Sequence, residues 1–402
     1  MIMIIEIFNY SLTAILIGIC GAWIFLIRSM INSLRLTPWI DKFEKINHNN
    51  PKVSIILPAR NEEEFLGKCL DTLIDQDYPN YEIIVIDDSS EDSTGNIISE
   101  YAKQNSKIIP VSARPKPDGW MGKNWACMEG YKKATGELLL FTDADTTHAK
   151  NVISLAVSHL LTFNLDALTA IPRMVCIDFW TKITLPMIST FLHTRFSAIR
   201  VNDPTKKTGY FFGSFFIIKQ KTYEEVGTHE GVKQEIIEDG ALGKKVKDSG
   251  YKLKMVRGDH LIGAIWARDK STLWNALKRL MIPLYIQSHK IAVGIFFAVL
   301  FLLFMPFPIL AYSSILSFET LSNSMVFVSS LVASILIYTG AVIEVKKGLQ
   351  LKLVHAFFGP VGSLVVVLGF LSGLLQAKKD SSISWRGRNY SMKDHVQDSI
   401  RI

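Results

Sequence analysis

Four apolar blocks and one long stretch of mixed character divide the chain. Residues 7–27 are nearly uncharged, and about 20 such residues cross a hydrocarbon core at 1.5 Å per residue. Three more apolar blocks, 291–316, 325–345 and 353–376, follow the middle of the chain. Between them, from about 46 to 270, polar and apolar residues mix as in a water-soluble fold. The pattern predicts a globular domain held at a membrane. It divides into residues 1–45 as anchor and linker, 46–270 as the globular domain, and 271–402 as an interfacial helix, about three transmembrane segments and a basic tail.

Within the middle part, short Val- and Ile-rich runs alternate with helical patterns. Runs 51–58, 81–86, 107–111 and 137–142 read as buried strands. Stretches 61–76, 93–105 and 124–134 read as helices, the first opened by Asn61 as N-cap with Glu64 three residues on. Strands alternating with helices predict an α/β fold with a mostly parallel, doubly wound sheet. Such sheets bind ligands outside the carboxyl ends of their strands. The polar clusters fall at those ends: Arg60-Asn61-Glu62, Asp87-Asp88 and Asp143-Ala144-Asp145. Two further helical stretches, 179–199 and 273–286, mix large apolar side chains with a few charges. That suits an interfacial helix, and for the first a buried core helix serves equally.

Basic residues set the expected orientation. Glu6 precedes the first apolar block and Arg28 and Arg35 follow it, which predicts a signal anchor with the domain in the cytoplasm and a multi-pass cell-membrane protein. Lys346, Lys347 and Lys352 mark a second cytoplasmic loop, and Glu319 an external one. Four crossings then put the tail outside, yet it carries Lys378, Lys379, Arg386 and Arg388. A re-entrant segment removes the conflict, and the block interrupted by Pro306 and Pro308 is its candidate.

Composition narrows the partners. The net charge is +7 with Lys and Arg scattered, so the chain lacks the basic, aromatic-interleaved runs of nucleic-acid binders. It suits an anionic membrane face instead. The four cysteines form no C-x-x-C pair, which fits a reducing compartment and speaks against disulfides or a zinc site.

Asp143 and Asp145, two residues apart just past a strand, can both reach one hard cation. Mg²⁺ or Mn²⁺ takes one or two carboxylates plus substrate phosphate oxygens. Alone, such a tripeptide is also a common surface feature. Asp87 or Asp88 can accept a hydrogen bond from a base or ribose, or cap the helix that follows. Glu238-Asp239 opens a helix and can either complement its dipole or supply a general base. Lys123 follows Gly122 without a Walker pattern: Pro117 stands at the first glycine and Asn124 at the Ser/Thr position. His148 and His260 are single histidines with structural roles expected.

These residues together resemble the family 2 inverting glycosyltransferases of the GT-A fold. The likeness runs from about Val53 to Arg268 and rests on residues 57–63, 85–90, Asp143-Ala144-Asp145 and Ile237-Glu238-Asp239. Residues 118–126, 201–204 and Trp385-Arg386-Gly387-Arg388 resemble a membrane-bound subgroup associated with hopanoid and carotenoid biosynthesis. The resemblance implies that Pro58, Arg60, Glu62 and Asp88 or Asp87 line the nucleoside pocket. It also implies that Lys123 lies near the donor, that Asp143 and Asp145 bind a divalent metal, and that Asp239 is the catalytic base. The Q-x-x-R-W of processive members is missing; Trp274 to Arg279 occupies a comparable place without matching. The expected activity is therefore metal-dependent transfer of one sugar from a nucleotide-sugar donor, a UDP-sugar by preference, to a lipid or polyprenyl-type acceptor. The alternatives are a processive polysaccharide-synthase-like transferase, a nucleotidyltransferase, and a membrane scaffold or transport component with a degenerate nucleotide-binding domain.

Overall fold

The computed structural model describes residues 2–43, 50–316, 318–379 and 382–391. Twelve strands are β1 (Val53–Ala59), β2 (Tyr81–Asp87), β3 (Ile108–Ser112), β4 (Leu138–Phe141), β5 (Thr146–His148), β6 (Ala167–Ile171), β7 (Arg173–Val175), β8 (Phe216–Lys219), β9 (Leu253–Arg257), β10 (Ile262–Ile265), β11 (Ser382–Trp385) and β12 (Arg388–Ser391). Seven form one sheet in the order β3-β2-β1-β4-β8-β6-β9. Only β8 runs against its neighbours; every other pairing is parallel.

Both faces of this sheet are buried, which is why its strands read as unbroken apolar runs. Successive side chains point to opposite faces. Ile55, Leu57, Ile83, Val85 and Leu140 meet the helices Leu66–Ile74 and Val152–Thr162. Ile56, Ile84, Ile86, Leu139 and Phe141 meet Phe211, Phe216, Tyr223 and Leu242 on the other side. A small sheet, β5-β10-β7, stands beside the end of β4.

The first helix of the domain corrects an expectation. It spans Leu66–Ile74 and has no side-chain cap. Asn61 adopts a left-handed backbone (φ 53°), and its Oδ1 accepts the Glu91 N–H at 2.9 Å. It ties two strand-end loops together instead of opening a helix. The stretch 179–199 is also broken: the helix Phe179–Ser189 ends there, and two short helices follow.

Among the described residues, three helices are long and apolar enough to cross a membrane, or up to four with a pair bent by 49° at Pro306. The N-terminal helix Ile2–Leu36 and the helix Leu321–Ile343 lie parallel. Asn9 bonds Asn323 at 2.8 Å at one end. At the other, Arg257 donates to Leu34 O at 3.0 Å, and His193 and Ser189 of the domain meet Glu344 at 3.0 and 2.8 Å. The bent pair, His289–Phe304 and Pro306–Ser314, runs from the domain to the far end, where Tyr312 reaches Asn9. Its bend follows a wide helical turn at Leu300–Phe304 and a proline that has no N–H to donate.

The last long helix, Gly359–Lys379, behaves differently. It starts beside Met187 and Ala341 and packs along Leu277 and Met281. The hairpin β11–β12 then enters the α/β domain. Both ends of this helix therefore lie on the domain's side.

Candidate active site

A cavity of about 360 Å³ opens at the carboxyl ends of β1, β2 and β4. Pro58, Arg60, Glu62, Asp88, Lys123, Asp143, Asp145 and Asp239 all line it. Asp87 does not. Its Oδ1 accepts the Ser90 N–H at 3.0 Å, closing the turn before the helix Thr94–Gln104. Asp87 thus closes a turn without capping that helix, and Asp88 is the one that lines the cavity.

At the end of β2, Arg388 holds one oxygen of Asp88, and the other, Oδ1, is buried without a hydrogen-bond partner. A buried acceptor left unpaired is costly, and Asp88 is one of the residues that line the cavity. Arg60 does not point a free guanidinium at the cavity. It donates to Asp88 O at 2.7 Å, to Ser89 O and to Arg386 O at 3.0 Å, bracing the loop ends. Buried Glu62 pairs with Arg268 and, at 2.6 Å, with Arg386.

At the acidic turn after β4, Asp143 meets Lys123 at 2.7 Å, and Lys123 meets Glu238 at 2.6 Å. Burial disfavours charge on Lys123, but these carboxylates outweigh it and raise its pKa. Asn124, one residue on, donates to Val232 O and Glu235 O at 2.7 and 3.0 Å. The Gly122–Tyr131 helix thereby fixes the loop that leads to Glu238. Asp145 lies 3.4 Å from Arg386 and 3.9 Å from Arg268. Burial and then the charge of Asp143 push it up to about 6. Two hard oxygen donors on one turn, both facing the cavity and mutually repelling, fit a divalent cation that keeps waters and phosphate oxygens as its other ligands. Among the described residues no cluster of three or more His, Cys, Asp or Glu forms a closed cage.

Asp239 sits in the first turn of the helix Glu238–Asp248. Its Oδ2 accepts the Gly213 N–H at 2.6 Å and its Oδ1 the Gly240 N–H at 2.7 Å. Burial, then the neighbouring Glu238, pushes its carboxyl up to about 7. Gly213 marks the meeting point: a Cβ there would lie 2.9 Å from Asp239 Oδ2, 3.0 Å from Lys123 Nζ and 3.3 Å from Asp143 Oδ2. The site needs a residue without a side chain at this position.

Sequence reasoning left three contributors unplaced. Arg279, on the helix Lys270–Gln287, lines the cavity, and burial and the nearby Arg386 lower its pKa to about 10. Its signal was present: it is the arginine of the stretch compared with Q-x-x-R-W. Arg268 and Gly213 carried no signal of their own. His148 and His260 are held by Thr142 at 3.1 Å and Asp41 at 3.1 Å, away from the cavity lining.

Comparison with known proteins places this geometry. The family model described as glycosyl transferase family 2 matches residues 54–227. The chain is 26% identical over 242 residues to 4,4'-diaponeurosporenoate glycosyltransferase of Staphylococcus aureus strain RF122 / ET3-1, covering 60% of each chain. The protein of the same name from strain USA300 matches equally, at 26% over 242 residues. The chain thus spans about 60% of the length of these curated relatives. The solved mannosyltransferase PcManGT from Pyrobaculum calidifontis, in complex with GDP-Man and Mn²⁺, superposes with a TM-score of 0.51. It is 18% identical, with 89% of this chain and 99% of that one covered, which shows a shared GT-A fold. Strand order, cavity position and family model agree over residues 54–227, the part of the chain that is similar to glycosyl transferase family 2.

Proposed function

We propose that the chain is an inverting, metal-dependent glycosyltransferase. It moves one sugar from a nucleotide donor, a UDP-sugar by preference, to a lipid or polyprenyl-type acceptor at a membrane. The observation that carries this reading is the convergence of Asp239, Lys123 and Asp143 around Gly213. A candidate base and a candidate metal carboxylate face one space there. Inversion needs one base and in-line attack, and a carboxylate raised to about 7 takes a proton at neutral pH.

In this reading Asp88 Oδ1 accepts from the nucleoside, and Pro58 and the Arg60-braced loop shape its pocket. Asp143 and Asp145 would hold Mg²⁺ or Mn²⁺, which neutralises charge on the leaving diphosphate when bound. Lys123 keeps Asp143 and Glu238 in place, so the base and the donor end share one scaffold. Asp239 removes the proton from the acceptor hydroxyl. The S. aureus relatives are named for transfer to 4,4'-diaponeurosporenoate, and a protein of the same fold is named with GDP-Man and Mn²⁺; both are in keeping with this assignment.

The acceptor class is argued from the cavity's apolar rim. Ile236, Ile237, Trp266, Ala276 and Leu280 line the side next to the helix Lys270–Gln287, which packs on the last long helix. An apolar acceptor entering there would reach Asp239 without leaving the helical layer. Arg28, Arg35, Lys346 and Lys347 all lie toward the domain ends of their helices, which supports a multi-pass protein with its domain in the cytoplasm. The test is sugar transfer to extracted lipids by membranes that contain the protein. Unchanged activity in Asp239→Asn and Asp145→Asn would sink the residue assignments. Pyrophosphate release from a nucleoside triphosphate and a sugar phosphate would favour a nucleotidyltransferase.

A further inference from the structure

Chain from beyond the last long helix closes one side of the cavity. The hairpin β11–β12 turns on Arg386 and Gly387, both left-handed, with φ 49° and 77°. Two-residue turns of this kind favour Asn-Gly, because a Cβ disfavours the left-handed region. An arginine here is thus not chosen for the turn. Nor is its side chain needed as the anchor. Arg388 holds Asp88, Tyr390 Oη accepts the Gly122 N–H at 3.3 Å, and Arg60 donates to the backbone oxygen of Arg386 at 3.0 Å.

The Arg386 side chain instead reaches into the cavity between two carboxylates, 2.6 Å from Glu62 and 3.4 Å from Asp145. Glu62 would keep Arg268 if Arg386 moved away. The weaker contact, to Asp145, occupies a carboxylate that the proposed function assigns to the metal. Arg279 lines the same cavity, and its charge is disfavoured by Arg386. Two guanidinium groups that line one cavity and repel each other offer a receptor for an anion. Guanidinium groups bind phosphate bidentately.

We propose that Arg386 is a ligand of the donor diphosphate, delivered by the C-terminal hairpin, and that it holds the place of the cation at Asp145 until nucleotide and metal enter. The proposal rests on the nucleotide-sugar reading of the cavity. It makes the hairpin part of the donor site, so the helical region and the catalytic domain assemble that site jointly.

The test uses the full chain in detergent and its Arg386→Ala variant. UDP and GDP binding with Mn²⁺ is measured by calorimetry, uridine and guanosine binding by ligand-observed NMR, and Mn²⁺ alone by paramagnetic resonance. The variant is expected to bind the diphosphate about 10-fold or more weakly, the nucleoside unchanged, and Mn²⁺ alone several-fold more tightly. A merely structural arginine would not tighten the metal. Equal loss of nucleoside and diphosphate, wild-type diphosphate binding, or unchanged Mn²⁺ affinity would each overturn the proposal. Arg386→Lys, which keeps the charge and loses the fork, is expected to recover part of the diphosphate affinity; no recovery counts against direct contact. If the wild-type chain binds neither UDP nor GDP, the donor-site reading itself fails and this proposal falls with it.

Discussion

The two walls of the cavity come from different parts of the chain and carry opposite charge. The α/β domain supplies Glu62, Asp88, Asp143, Asp145 and Asp239, each at a strand end or in a helix's first turn. The region after β10 supplies Arg279 and Arg386 to the lining, with Arg268 and Arg388 paired to Glu62 and Asp88 behind it. On the acidic wall, local backbone geometry sets each side chain. On the basic wall, positions are set by packing between elements far apart in sequence: Arg388 meets Asp88 across 300 residues. The acidic strand ends and the last long helix are thus linked through a shared set of ion pairs carried by the hairpin.

That contrast can be broken from either wall. The largest effect is expected on the acidic side. Asp239→Asn should lower kcat by roughly 10²–10⁴-fold, the contribution of a positioned base, while donor affinity measured by calorimetry stays close to wild type. Loss of donor binding in step with kcat would show that Asp239 serves the donor pocket instead.

Asp145→Asn comes next. Removing one of two metal carboxylates should lower transfer roughly 100-fold, with part of the loss recovered at high Mn²⁺. A Mn²⁺ titration of initial rates checks this, and a variant indifferent to Mn²⁺ would remove the metal from the acidic wall.

The pH profile sharpens the same comparison. The base must be ionised to act, and its carboxyl is raised to about 7. Activity is therefore expected to be full above that pH and to fall about tenfold per unit below it. A flat profile between pH 5 and 8 would place the proton elsewhere. On the basic wall the effect should be smallest: Arg279→Ala should weaken UDP or GDP binding by about 10-fold, the value of one charge-assisted hydrogen bond, with kcat at saturating donor little changed.

How much of this was legible in the sequence follows the same division. β1, β2 and β4 were readable because strands buried on both faces leave uninterrupted apolar runs. The residues just past them were readable because chain order places them at the ligand-binding edge. Asn61 misled because a short polar side chain serves a left-handed loop as readily as a helix cap, and the choice depends on Glu91, thirty residues away. Asp87 and Asp88 were indistinguishable because adjacent residues differ only in the face they take, which the turn at Ser90 decides. The tail's basic charge was visible, but that the chain re-enters the α/β domain shows only in the contact of Arg388 with Asp88.

By itself, the sequence determined the alternating α/β domain, the acidic residues at its strand ends and the apolar blocks around it, because periodicity and local chemistry act over a few residues. Only the tertiary structure decided that the last long helix returns to the domain and that Arg279 and Arg386 face Asp145 across one cavity. Those arrangements depend on packing and charge pairing between segments hundreds of residues apart, for which no local pattern exists.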